Sequence, residues 1–195
     1  MAHYDDSLTM RDARRIYFEA NQFGADGGYG EPWVKFKFGP FPMAFPNTAS
    51  RVRAVRFHDL HHVMTGYETS NQGEGEIGAW ELGSGCADHY AAWVLNLTAL
   101  GAGLLVAPRA TYRAFVRGRH SHNLYRRTFD DALLDRRVGE LRAELGLSDP
   151  PRPATAGDLA AFGACIVGSV LTGLPLGGAM PVLGLGSLLL RRLAT

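Results

Sequence analysis

Amphipathic blocks alternate along the chain with blocks that carry almost no charge. Between Arg11 and Ala25 the apolar residues Ile16, Phe18, Ala20 and Phe23 fall at helical spacing among charges, which predicts a short helix ending near Gly24. A glycine-rich turn follows, from Gly24 to Gly30. Trp33, Val34, Phe36, Phe38, Phe41, Met43 and Phe45 alternate in part around Gly39 and Pro40. That pattern predicts a short extended or hairpin arm near residues 33–45. Pro46, Asn47 and Thr48 open a helix that Thr48 or Ser50 caps, and no breaker interrupts Arg51 to Thr65.

After a polar loop from Gly66 to Gly75, a helix is predicted over Glu74 to Leu82, broken by Ser84 and Gly85. The next runs from Ala87 to Ala107 and stops at Pro108, with Asp88 and His89 read as its cap. Ala110 to Leu145 is amphipathic and charged, which predicts two helices with a break near Gly118 to Ser121; His120 and His122 read as solvated. Pro150, Pro151 and Pro153 mark a linker, and Asp158 to Leu190 is almost free of charge. The expected fold class is mostly α: a single-domain helical bundle with that arm and an apolar C-terminal helical tail. Its expected parts are a metal-binding domain over 1–147, a Pro-rich linker over 148–157 and a tail over 158–195.

Composition narrows the function. Hydrophobic residues make up 46% of the chain, enough for a core, and a net charge of +1 gives no field that would select nucleic acid. Cys86 and Cys165 form no paired motif, so a reducing compartment is expected. Met1 to Met10 is polar and acidic, unlike a signal peptide, so the expected location is cytoplasmic. Three apolar stretches, Ala91 to Ala107, Leu159 to Leu174 and Leu176 to Leu190, are at or below the length that spans the ~30 Å of a bilayer core. They read as helices around a long apolar ligand, as a hairpin dipping into a bilayer with Arg191 and Arg192 at the headgroups, or as plain core. The second reading gives peripheral membrane association through the tail.

The sharpest chemical signal is Phe57-His58-Asp59-Leu60-His61-His62-Val63. Histidines four apart share one face of a helix, and Asp59 can lean toward the same point. Two imidazoles and a carboxylate on one turn are half a metal site, as in the zinc-binding H-E-x-x-H helix. A further carboxylate should come from another element, and Glu74, Glu76 and Glu81 all follow the loop. His61 points about 100° from His62, as a supporting donor or a packing residue. The H-x-x-H-H reading, one box of the membrane desaturases, needs further boxes, and the chain has seven histidines in all and no second box.

His58-Asp59, His62, eleven residues and then Glu74 is the pattern H-D-x-x-H-x11-E. In this the chain resembles the coenzyme Q biosynthesis protein 4 family. Thr65-Gly66-Tyr67, Gly75-Glu76-Ile77, Arg117-Gly118-Arg119 and the run Leu141 to Gly146 are also similar, so the resemblance covers roughly Arg51 to Leu147. It implies metal ligands His58, Asp59, His62 and Glu74; beside them, by their positions alone, His61, Glu76 and Glu81 are candidate supporting or acid–base groups. The implied cofactor is zinc or iron. The implied activity is oxidative decarboxylation of a polyprenyl-hydroxybenzoate, hydroxyl replacing the carboxylate at ring carbon 1. Arg117 and Arg119 are candidates for an anionic head group or a lipid phosphate. Expected partners are a polyprenylated quinone precursor or another isoprenoid lipid, a membrane surface and other quinone-biosynthesis proteins, with a homo-oligomer left open and no nucleic acid. A non-catalytic lipid-binding scaffold and a zinc-dependent hydrolase are the rival readings.

Overall fold

A computed structural model of the 195-residue chain describes residues 4–38 and 41–173. The stretch from Leu176 to Leu190, Arg191 and Arg192 lies outside them, as do Gly39 and Pro40. The order of elements is α1 (Met10–Asn21), β1 (Trp33–Phe38), β2 (Phe41–Pro46), α2 (Ala49–Thr65), α3 (Asn71–Ser84), α4 (Tyr90–Val106), α5 (Pro108–Arg119), α6 (Asp131–Leu134) and α7 (Val138–Glu144). A further helix, α8, covers Ala156–Gly173. The chain is mostly helical, with one small hairpin and an apolar C-terminal helix.

Local chemistry sets the boundaries. The Thr9 hydroxyl caps α1 by accepting from Asp12 N–H, and Gln22 ends it in the left-handed region at φ 58°, before the predicted stop at Gly24. Thr48, not Ser50, caps α2, accepting from Arg51 N–H at 3.2 Å. Ser70 caps α3 by accepting from Gly73 N–H at 3.2 Å, so this helix starts three residues before the predicted Glu74. Such caps contribute about 1 kcal/mol each. The arm is an antiparallel hairpin in which Trp33 faces Pro46 and Phe38 faces Phe41. The charged region after Pro108 forms three helices rather than two, because Asp130 starts a short extra one by accepting from Leu133 N–H.

The core gathers around α3, which packs against both α4 and α5. Two backbone crossings allow this. Gly75 of α3 meets Gly103 of α4, and Gly118 of α5 meets the Trp80 carbonyl, so closely that a Cβ at either place would overlap backbone. Trp80, Ile77, Leu60, Leu100, Phe115, Leu124 and Leu141 fill the centre with essentially no exposure. The first part of the expected tail is docked: Phe162 of α8 packs on Tyr112 and Phe115 of α5, with ring centroids 4.9 and 5.1 Å apart. The opposite faces of α4 and α8 are open. Val94, Leu95, Leu105 and Val106 of α4, with Leu159, Val167, Val170 and Leu171 of α8, are exposed. By length and composition α8 is apolar enough to cross a membrane, and only 17% of it is buried.

Candidate metal centre

Helix α2 is held at its C-terminal end by two arginines from distant segments. Arg142 donates to the carbonyls of Val63 and Met64, each at 2.9 Å, and Arg117 to that of Thr65 at 3.2 Å. These carbonyls belong to the last turn, where no intrahelical donor is left and a cation is favoured. His62 lies in that turn, its ring stacked on Tyr17 at 5.4 Å.

His58, His62 and Glu74 each offer a ligand atom, and these atoms all lie within 4.8 Å of one another. The two Nε2 atoms are 3.1 Å apart. Glu74 Oε2 is 3.6 Å from His58 Nε2, and Oε1 is 3.5 Å from His62 Nε2. Ligands about 2.05 Å from a tetrahedral zinc are themselves about 3.3 Å apart, so the spacing suits a cation at the centre. The His62 side chain is 1% exposed, that of His58 19% and that of Glu74 41%, so the cluster is closed behind and open on the Glu74 side.

The far ring nitrogens decide what the near ones can do. His62 Nδ1 lies 2.8 Å from the Tyr67 carbonyl, which can only accept, so this nitrogen carries the proton. His58 Nδ1 lies 2.9 Å from Glu81 Oε1 and donates to it. Both Nε2 atoms of the neutral rings are then bare lone pairs aimed at each other, an arrangement that calls for a shared proton or a metal ion. The same orientation by a carboxylate or carbonyl is found behind metal-ligating histidines generally.

Glu81 is fully buried and accepts four hydrogen bonds. Besides His58 they come from His61 Nδ1 at 2.7 Å, Asn96 Nδ2 at 2.5 Å and Tyr125 Oη at 2.6 Å. Burial opposes its charge, but the two histidines outweigh it and hold the carboxyl well below the usual range. His61 is locked in turn: its Nε2 accepts from Leu124 N–H at 3.0 Å, and burial keeps the ring neutral. Burial also opposes charge on His58, and Glu81 and Glu74 together overcome it, raising its pKa well above the ordinary value, so without a metal ion it is His58 Nε2 that takes the proton. For Glu74, burial raises the pKa, while the neighbouring His58 and His62 lower it by more, leaving the carboxylate ionised.

The other predicted site residues fall elsewhere. Asp59 is buried beside the cluster but is not one of its three members; its Oδ2 accepts from the Tyr29 hydroxyl at 2.5 Å, and burial raises its pKa. Glu76 takes a 3.4 Å bond from Gln72 on the solvent side. Arg119 binds Asp158 at 3.3 Å, and Arg117, besides holding Thr65, lies over the Tyr67 ring at 5.5 Å, so both tie helices together. His89 is the N-cap residue of α4 yet makes no side-chain cap, because its ring is buried with Nε2 donating to the Tyr125 carbonyl at 3.2 Å. Asp88 pairs with Arg53 at 2.6 Å. His120 is half-buried against Asp158 at 3.1 Å rather than solvated.

The supporting groups, the Tyr67 carbonyl and the donors Tyr125 and Asn96, were not singled out by sequence reasoning. Only the i, i+7 spacing of Glu74 and Glu81, which puts both on one face of α3, signals that they work together. In comparisons with known proteins, no family model, no curated protein and no solved structure matches this chain.

Proposed function

We propose that this is a divalent-metal protein of ubiquinone biosynthesis that binds a polyprenylated quinone precursor. His58, His62 and Glu74 hold zinc or iron. The observation that carries the metal is the pair of fixed tautomers: Glu81 and the Tyr67 carbonyl take the Nδ1 protons, and the freed Nε2 lone pairs converge 3.1 Å apart beside Glu74. The substrate class rests on the H-D-x-x-H-x11-E resemblance to the coenzyme Q biosynthesis protein 4 family. Two imidazoles with a carboxylate suit iron or zinc.

Bound iron would supply the oxygen chemistry that loss of the ring carboxylate as carbon dioxide and its replacement by hydroxyl demand; zinc would orient and polarise. The chain's own groups do the rest. The half-exposed Glu74 edge is where a polar ring approaches, and Glu81, His61 and Tyr125 keep the far side dry and fixed. The open apolar faces of α4 and α8 give peripheral contact with the membrane in which such a precursor dissolves. Other quinone-biosynthesis proteins are the expected partners. The hydrolase reading is weaker, because neither acid proposed as its base is free: Glu76 is bonded to Gln72 and Asp59 to Tyr29.

Mass spectrometry of lipid extracted from the purified protein tests the substrate class. The expected result is a prenylated hydroxybenzoate or related ring, enriched over bulk lipid. Assorted phospholipid alone, with zinc, would replace this reading by the non-catalytic scaffold.

A further inference from the structure

A second face of α2 borders a cavity of about 700 Å³. Arg53, Arg56, Arg127, Thr128, His89 and Tyr29 are among its walls, and among the described residues no acidic side chain lines it. A neighbouring cleft of about 600 Å³ shares Arg53 and Arg127 and adds Arg126. Four arginines thus converge from the first half of α2 and from the segment before α6.

Two of them are neutralised only at the surface. Arg53 pairs with Asp88, whose side chain is 70% exposed, and Arg127 pairs with Glu144. Exposed pairs of this kind are worth little and exchange readily. Arg56 makes no ion pair among the described residues. Its guanidinium lies over the rings of Tyr29 and Phe129, 5.4 and 5.7 Å from the centroids. Stacking on rings fixes the plane of the guanidinium and leaves its edge N–H groups free to bind.

A separate observation points to a ligand with a hydroxyl or a protonated oxygen. His89 lines the cavity, is 4% exposed, and spends its Nε2–H on the Tyr125 carbonyl. Its Nδ1 is buried without a partner. Buried polar atoms are nearly always bonded, so an orphan asks for an unseen partner. Burial lowers the pKa of this ring, with Arg53 acting in the same direction, so Nδ1 is an acceptor. Planar donors for anionic oxygens, the Thr128 hydroxyl and one buried acceptor together describe a phosphoryl group that keeps one protonated oxygen or adjoining hydroxyl.

We infer that this cavity binds a phosphoryl group, through Arg56 with Arg53 and Arg127. The group belongs either to a soluble phosphate ester or to the headgroup of an anionic lipid. The inference does not depend on a metal at His58 and His62, and its test leaves that cluster intact.

Isothermal titration calorimetry of the full chain with inorganic pyrophosphate is one arm of the test. Cosedimentation with vesicles of phosphatidylcholine, alone or doped with phosphatidic acid, is the other. Both use the wild type, Arg56→Ala, Arg56→Lys and the control Arg113→Ala, an exposed arginine outside the cavity. Arg56 is itself exposed, so its variants should fold, and circular dichroism checks this. Arg56→Ala should weaken binding about tenfold, as loss of one charge-assisted hydrogen bond implies, with Arg56→Lys between and Arg113→Ala unchanged. A soluble ester is the source if Arg56→Ala weakens pyrophosphate binding and leaves vesicle binding alone. A lipid headgroup is the source if Arg56→Ala abolishes the phosphatidic acid-dependent part of vesicle binding. Absence of binding in both arms, or binding indifferent to Arg56 in both, overturns the inference.

Discussion

Glu81 accepts the Nδ1 proton of His58 at 2.9 Å from a position with no exposure to solvent. Its charge is thereby delivered to the open nitrogen of His58, which becomes the more basic ligand. The isosteric Glu81→Gln keeps the shape and removes the charge. Metal affinity should fall by roughly 10–100-fold, the usual effect of losing such a partner. Competition against a chromophoric chelator measures it, and unchanged affinity would show that Glu81 is only a packing residue.

Arg142 joins three segments. It donates to the carbonyls of Val63, Met64 and Tyr4 and pairs with Asp6 at 2.5 Å. Arg142→Met should cost about 2–3 kcal/mol, since it strands carbonyls at the buried end of α2. Arg15→Ala, which breaks only an exposed i, i+4 pair with Glu19, should stay within about 0.5 kcal/mol. Urea denaturation compares the two, and equal midpoints would refute the role given to Arg142.

The α3–α4 crossing allows no side chain at Gly75, where a Cβ would strike the Gly103 backbone. Gly75→Val should destabilise by at least about 1–3 kcal/mol. It should also reduce metal loading, because Glu74 and Glu81 both ride on α3. Gly163 of α8 has nothing within 4 Å of a built Cβ, so Gly163→Ala should stabilise by up to about 1 kcal/mol. Thermal unfolding of both variants checks the contrast, and a shift of the same sign in each would count against it.

Asp158 ties α8 to the body. Its Oδ2 accepts from Thr155 N–H at 2.9 Å while Thr155 Oγ1 accepts from Asp158 N–H at 3.2 Å, a reciprocal cap, and Arg119 and His120 bind the same carboxylate. The backbone bond from Thr155 is foremost in holding its pKa well below the ordinary value. A depressed carboxyl stabilises fully above its unfolded pKa of about 3.9 and loses this as pH falls toward the folded value. Protection of the α8 amides from exchange, relative to their intrinsic rates, should therefore fall selectively below about pH 4. In Asp158→Asn that pH dependence should vanish; a wild-type-like profile in the variant would place the sensitivity elsewhere.

The parts legible in the sequence were those set by local spacing. His58 and His62 are one helical turn apart, and the hairpin, the charge-free α4 and the tail helix follow from periodicity and breakers. The start of α3 was misplaced because Gly73 and Gly75 look like loop residues, whereas they are where the helix meets other backbone. What holds the site was hidden for a different reason. Arg142 reaches Val63 across 79 positions, and Leu124 N–H reaches His61 across 63. No pattern along the chain encodes such pairs. Arg117 and Arg119 read as free cations for the same reason: their partners, Thr65 and Asp158, are distant in sequence. Asp59 looks like an ordinary ligand until Tyr29, thirty residues earlier, is seen at its oxygen.

A cation held between two imidazoles and a carboxylate underlies the proposed function. Elemental analysis of the purified, dialysed protein by inductively coupled plasma mass spectrometry tests it most directly, run beside His58→Ala, His62→Ala and Glu74→Ala. About one equivalent of zinc or iron per chain is expected in the wild type, with either histidine variant losing it and Glu74→Ala weakened. A wild type free of both metals after reconstitution, or a full equivalent kept by both histidine variants, would contradict the account.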